Sequence, residues 1–101
     1  MKVKTIDVDA KEWFDKINGN SYFSAVVTVN YKMKGEKFFD IPFSYGYGSA
    51  YLDAAYTILK ENGILKGDDM APLWRICQEN GIILRYGKKG NCLKRDLIQR
   101  V

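Results

Sequence analysis

The sequence holds 101 residues, 47% of them apolar and 28% charged, with sixteen Lys and Arg against twelve Asp and Glu and no histidine. That is the size of one ordinary domain, residues 1–101, large enough to fold around a core without metal or disulfide. It contains no run of about 18 apolar residues to span a bilayer, no basic start leading into an apolar signal core, and too many apolar and aromatic residues for disorder.

In chain order, Val3-Lys4-Thr5-Ile6-Asp7-Val8 reads as a first strand. Asp9 and Glu12 have the spacing of a helix-start box, so Ala10 to Ile17 is expected to form one or two helical turns, with a continuing strand as the alternative. Asn18-Gly19-Asn20 marks a tight turn. From Tyr22 to Tyr31 the odd positions Phe23, Ala25, Val27, Val29 and Tyr31 alternate with Tyr22, Ser24, Val26, Thr28 and Asn30, the period of a half-buried strand. Lys34-Gly35-Glu36 turns the chain, and Phe38 to Phe43 returns with Phe39, Ile41 and Phe43 on one face, giving an antiparallel hairpin.

Tyr45-Gly46-Tyr47-Gly48 ends the sheet and Ser49 is placed to cap a helix over residues 49–62, with Leu52, Ala55, Tyr56 and Leu59 as its apolar stripe. A second helix over residues 70–80 carries Met70, Leu73, Trp74 and Cys77, with Pro72 near its start. Both helices end in Glu-Asn-Gly-Ile (61–64 and 79–82), where the glycine takes the left-handed position and the isoleucine folds back, a shared stop chemistry rather than an internal repeat. Ile82 to Tyr86 reads as a strand, Gly87 to Asn91 as a turn, and Cys92 to Ile98 as a final strand or short helix. Strands and helices segregate, so the expected class is α+β: a mostly antiparallel sheet of four to five strands with both helices on one face.

All of the net basicity lies late in the chain. Residues 81–101 contain Arg85, Lys88, Lys89, Lys94, Arg95 and Arg100 against Asp96 alone, while residues 1–80 hold ten basic and eleven acidic residues. Such a segment attracts phosphate or an acidic protein surface, or stands as a solvated terminal hairpin guarding a sheet edge. Cys77 and Cys92 cannot make a four-ligand zinc site without histidine, and both are expected to be free thiols in a reducing compartment.

The usual general base and nucleophilic triads are absent with histidine. The acidic pairs Asp7/Asp9, Glu12/Asp15 and Asp68/Asp69 are explained by strand-end and helix-start solvation, with a metal or acid–base role for the first pair as the alternative. The Tyr45-Gly46-Tyr47-Gly48-Ser49 loop lacks the third glycine of a dinucleotide fingerprint and the lysine of a P-loop, which leaves nucleotide binding a distant alternative. No catalytic residue, metal ligand or cofactor is expected. The more telling residues are tyrosines: Tyr45, Tyr47 and Tyr51 cluster around the glycine loop, offering apolar area with a polar tip at low entropy cost.

The stretch Trp13-Phe14-Asp15-Lys16-Ile17-Asn18-Gly19-Asn20-Ser21-Tyr22-Phe23-Ser24 resembles the W-F-D-K-x-N-G-N-[ST]-Y-x-S signature of small uncharacterised proteins of tailed bacteriophages, as do Tyr45-Gly46-Tyr47-Gly48 and Lys94-Arg95-Asp96-Leu97 at lower specificity. Phe23 stands where that group carries histidine. The group transfers no catalytic assignment. The resemblance implies context: a cytoplasmic accessory protein of an infected or lysogenic bacterium, acting by binding.

The expected function is therefore non-enzymatic binding of a host or phage protein through Tyr45, Tyr47, Tyr51, Arg85, Lys88, Lys89, Lys94 and Arg95. The alternative is a nucleic-acid module using the same cations on phosphates and the tyrosines for stacking. Exposed strand edges also allow a homodimer by edge pairing, and no membrane partner is expected.

Overall fold

Alternating β-branched and aromatic residues make the first half of the chain sheet. In the computed structural model, which describes residues 2–98, three strands come first: β1 (Thr5–Asp15), β2 (Asn20–Val29) and β3 (Lys37–Tyr45). Two helices follow, α1 (Ala50–Glu61) and α2 (Leu73–Glu79), then β4 (Ile83–Lys89) and a short α3 (Lys94–Ile98). The four strands form one sheet in the order β3-β2-β1-β4, antiparallel across β1–β2 and β2–β3 and parallel across β1–β4. The class is α+β, as the segregation of elements predicts. Among the described residues no helix is long and apolar enough to cross a membrane.

One face of the sheet carries the core. Ile6, Val8 and Ala10 of β1 and Phe23, Ala25, Val27 and Val29 of β2 are buried there with Ile41 of β3, under Ala55, Tyr56 and Leu59 of α1 and Leu73, Ile76 and Cys77 of α2. Phe23, Ala25, Val27 and Val29 face the core as the alternation predicts, but the strand is more than half-buried, since Ser24 and Thr28 on the other face are buried too, and Tyr31 lies beyond its end.

Four expectations are corrected. Residues 10–15 continue β1 instead of forming a helix, because each pairs in turn with β2, from Ala10 opposite Ala25 to Asp15 opposite Asn20. Trp13 and Phe14 therefore point to opposite faces, and Ile17 sits in the turn, 93% exposed. Phe43 does not share a face with Phe39 and Ile41: between Phe23–Ser44 and Ala25–Ile41 the register slips, so Pro42 and Phe43 oppose Ser24 alone and the extra residue turns Phe43 to the other side. In α2 the buried stripe is Leu73, Ile76 and Cys77, whereas Met70 precedes the helix and Trp74 faces outward. The terminal hairpin is absent, since β4 runs on through Gly87-Lys88-Lys89 parallel to β1 and the segment after it is helical.

Both helices stop by the same chemistry. Ile64 N–H donates to the Leu59 carbonyl and Gly63 N–H to Lys60, with Gly63 at φ +71°; Ile82 N–H donates to Cys77 and Gly81 N–H to Gln78, with Gly81 at φ +67°. The asparagines add a second bond each, from Asn62 Nδ2 to the Ile58 carbonyl and from Asn80 Nδ2 to Ile76. Ser49 occupies the start of α1, but its side chain makes no capping bond.

The start of β1 is held from a distance. Asn30, buried and at φ +54°, accepts from Lys4 N–H (2.7 Å) and Thr5 N–H (3.3 Å) through Oδ1 and donates from Nδ2 to the Lys2 carbonyl (3.0 Å). Alanine there would take the Asn30 acceptor from the buried Thr5 N–H and the part-buried Lys4 N–H and disfavour the left-handed backbone. Asn30→Ala is expected to lower unfolding free energy by about 2–3 kcal/mol, measured by urea denaturation.

Candidate functional site

Strand directions decide which side chains meet. The carboxyl ends of β1, β3 and β4 and the start of β2 lie at one end of the sheet, called here the upper end. The β1–β2 turn closes it: Asp15 Oδ1 accepts from Ile17 N–H (3.0 Å) and Asn18 N–H (3.3 Å), and Asn18 Nδ2 donates to Asp15 Oδ2 (2.8 Å). The Asn18 amide, with these main-chain N–H groups, holds the Asp15 carboxyl below its ordinary range. The turn residues of the stretch 13–24 thus have a structural task.

The aromatic residues of that stretch meet others on the sheet face opposite α1. Tyr22 stacks on Trp13 (5.5 Å between centroids) and on Phe43 (4.9 Å), and Tyr45 meets Tyr22 edge-on at 5.7 Å. The register slip of β3 is what delivers Phe43 to this ladder. Helix α3 lies over it: Lys94 Nζ stands 5.6 Å from the Trp13 ring centroid and 5.9 Å from that of Phe43, and Leu97 is fully buried. Asp96 Oδ2 accepts from Leu93 N–H at 2.8 Å and secures the first turn of α3, while Cys92 N–H donates to the Glu12 carbonyl.

Seven of the eight residues singled out from sequence lie at or beside this end; Arg85 is lower on β4, opposite Asp7. Tyr45 and Tyr47 are 65% and 72% exposed. Tyr51 is a correction, since it is buried, the helix placing Tyr51, Ala55 and Leu59 inward and leaving Leu52 half-buried. Gly46 lets the loop pass: a Cβ there would come within 2.8 Å of Ala50 Cβ and 2.9 Å of Phe23 Cε1.

The cations divide into two groups. Arg85 forms a forked pair with Asp7 (Nε–Oδ1 2.7 Å, Nη2–Oδ2 2.9 Å). Lys88 Nζ donates to Glu12 Oε2 (2.8 Å) and the Gly48 carbonyl (2.9 Å), so it ties β4, β1 and the glycine loop together. Lys94 is seated on the rings, and Lys89 and Arg95 stand exposed at the surface. Arg100 lies outside the described residues.

Sequence reasoning missed the apolar rim of this end. Trp13, Phe14, Ile17, Cys92 and Leu93 line a cleft of about 420 Å³ between the β1–β2 turn and the loop before α3. Phe14, Ile17 and Leu93 are exposed large apolar side chains, a grouping visible only once β1 is one long strand.

The acidic pairs have separate fates. Asp7 and Asp9 share the open face, where they line a depression of about 270 Å³ with Thr28 and Tyr31, and Arg85 engages Asp7. Glu12 and Asp15 point to opposite faces. Asp68 accepts from Met70 N–H, and Asp69 pairs with Lys60 at 2.6 Å. Both cysteines are free thiols and both are buried. No family model, curated protein or solved structure matches this chain.

Two outcomes follow from this arrangement. Leu97→Ala is expected to cost about 2–4 kcal/mol in urea denaturation and, in a Trp74→Phe background where Trp13 is the remaining tryptophan, to raise iodide quenching of its fluorescence. Burial pushes the Cys77 thiol from 9.0 up to about 11, so the folded state favours the neutral form. That contribution is complete below pH 9.0 and is lost as pH rises to about 11. Cys77→Ala should flatten the alkaline decline of stability over that window, measured by urea titration at stepped pH.

Proposed function

We propose that this chain is a non-enzymatic accessory protein of the phage type that binds a host or phage protein through the upper end of its sheet, in the cytoplasm of the infected bacterium, and modulates it. The observation that carries this reading is the meeting at one end of exposed Tyr45 and Tyr47, exposed apolar Phe14, Ile17 and Leu93, and the surface cations Lys89 and Arg95. Aromatic and apolar anchors ringed by charge are the anatomy of a protein interface. The cation pairings favour protein over nucleic acid, because Arg85 and Lys88 already face Asp7 and Glu12 and a phosphate would have to displace those carboxylates.

Nucleic acid is the second reading, favoured by the exposed rings of Tyr45 and Tyr47, available for base stacking beside exposed lysine and arginine. One comparison separates the two. Affinity capture from bacterial lysate with the full chain and with Tyr45→Ala/Tyr47→Ala is expected to yield a protein partner that the double variant loses about tenfold or more. A single-stranded oligonucleotide retarded at about 50 mM salt, with affinity falling steeply as salt rises, would support the second reading instead. Capture of the same proteins by both forms, without retardation, would remove both.

A further inference from the structure

The two edges of the sheet are built differently. On β3, Pro42 brings no N–H and the register slip beside it breaks the ladder, two devices that blunt an edge. On β4, seven residues run from Ile83 to Lys89 with no proline and no slip, paired with β1 on one side and with no described strand on the other. Ile83 N–H donates to the Lys4 carbonyl, so Ile83, Arg85, Gly87 and Lys89 direct their main chain toward β1. By strand alternation Leu84, Tyr86 and Lys88 direct theirs outward. The side chains beside those groups are open as well, since Ile83 and Tyr86 are both more than half exposed.

We infer that β4 is a docking edge for an acidic, extended peptide segment of a protein partner, which adds to the sheet as a fifth strand. This rests on the protein-binding reading above and specifies how the partner is held. Main-chain groups of Leu84, Tyr86 and Lys88 supply the ladder, and side chains supply the selection. β4 carries Arg85, Lys88 and Lys89 and no acid; Arg85 and Lys88 already face Asp7 and Glu12, so exposed Lys89 is the β4 cation open to an incoming carboxylate. An incoming strand is matched by acidic side chains on the face of Lys89 and by apolar ones on the other, against Tyr86. A second copy of this chain fits less well, because β4 carries no acid to set against Lys89 of its partner.

The test begins with random dodecapeptides displayed on yeast and selected on the immobilised full chain. Selected sequences are expected to alternate Asp or Glu with apolar residues. The strongest, labelled and followed by fluorescence anisotropy, should slow amide exchange at Leu84, Tyr86 and Lys88. Methylating alternate peptide nitrogens, which leaves the protein untouched, should weaken binding about tenfold, as should Tyr86→Pro, whose lost N–H points away from β1. Lys89→Glu should weaken it about threefold or more at low salt.

Selected peptides without acid–apolar alternation, or protection at amides away from β4, would overturn the inference. So would protection of Leu84, Tyr86 and Lys88 that grows with protein concentration without peptide, since that assigns the edge to a second copy. If the lysate partner is lost with Tyr45→Ala/Tyr47→Ala but kept by Tyr86→Pro, strand addition fails and the protein-binding reading stands. If selected peptides protect β4 while lysate capture is indifferent to the tyrosines, the upper-end reading fails and the edge stands.

Discussion

The parallel pairing of β4 with β1 is the constraint on which the rest of the molecule depends. It seats the last strand beside the first, in a register that sets Arg85 opposite Asp7 and carries Lys88 to Glu12. It also delivers the chain to the upper end of β1, where Cys92 bonds the Glu12 carbonyl and α3 turns onto the open face. Parallel neighbours need a long crossover, and α1 and α2 supply one while covering the apolar face they pass. Without this pairing the aromatic ladder would lose its cover and the basic segment its position.

Two layers of unlike character result. On the helix side, apolar residues of β1 and β2 meet α1 and α2 in the hydrophobic core. On the other side the sheet is polar in its middle and aromatic at its upper end, with α3 as a small partial cover held by Leu97 and by Lys94 over two rings. The core side accounts for folding, and the exposed aromatic and apolar residues collect where the two layers end together. Lys88 belongs to both: it faces the core side, yet its bonds to Glu12 and Gly48 keep the glycine loop beside β4.

What was legible in the sequence is what short-range chemistry decides. The inward face of β2 at Phe23, Ala25, Val27 and Val29, the stripe at Ala55, Tyr56 and Leu59, and the twin Glu-Asn-Gly-Ile stops appear as read. What was not legible depends on partners far along the chain. Asp9 and Glu12 imitate a helix start, but pairing along all of β2 outweighs that local preference. Gly87-Lys88-Lys89-Gly90 has the composition of a turn, but Glu12 and the Gly48 carbonyl draw Lys88 into a strand. Phe43 changes face because of one extra residue beside Pro42, and Tyr51 turns inward by a shift of one position on α1. The tyrosine and lysine cluster was thus found by composition, whereas its apolar rim needed the strand lengths.

The slip at Pro42 reaches beyond β3 itself. A sheet that can be lengthened at both borders can propagate from molecule to molecule into a fibre, because every addition exposes a fresh border like the one just covered. Here one border is spoiled at a residue that brings no amide hydrogen. A sheet with one border broken in this way is a poor template for a ladder that continues through both edges of many copies.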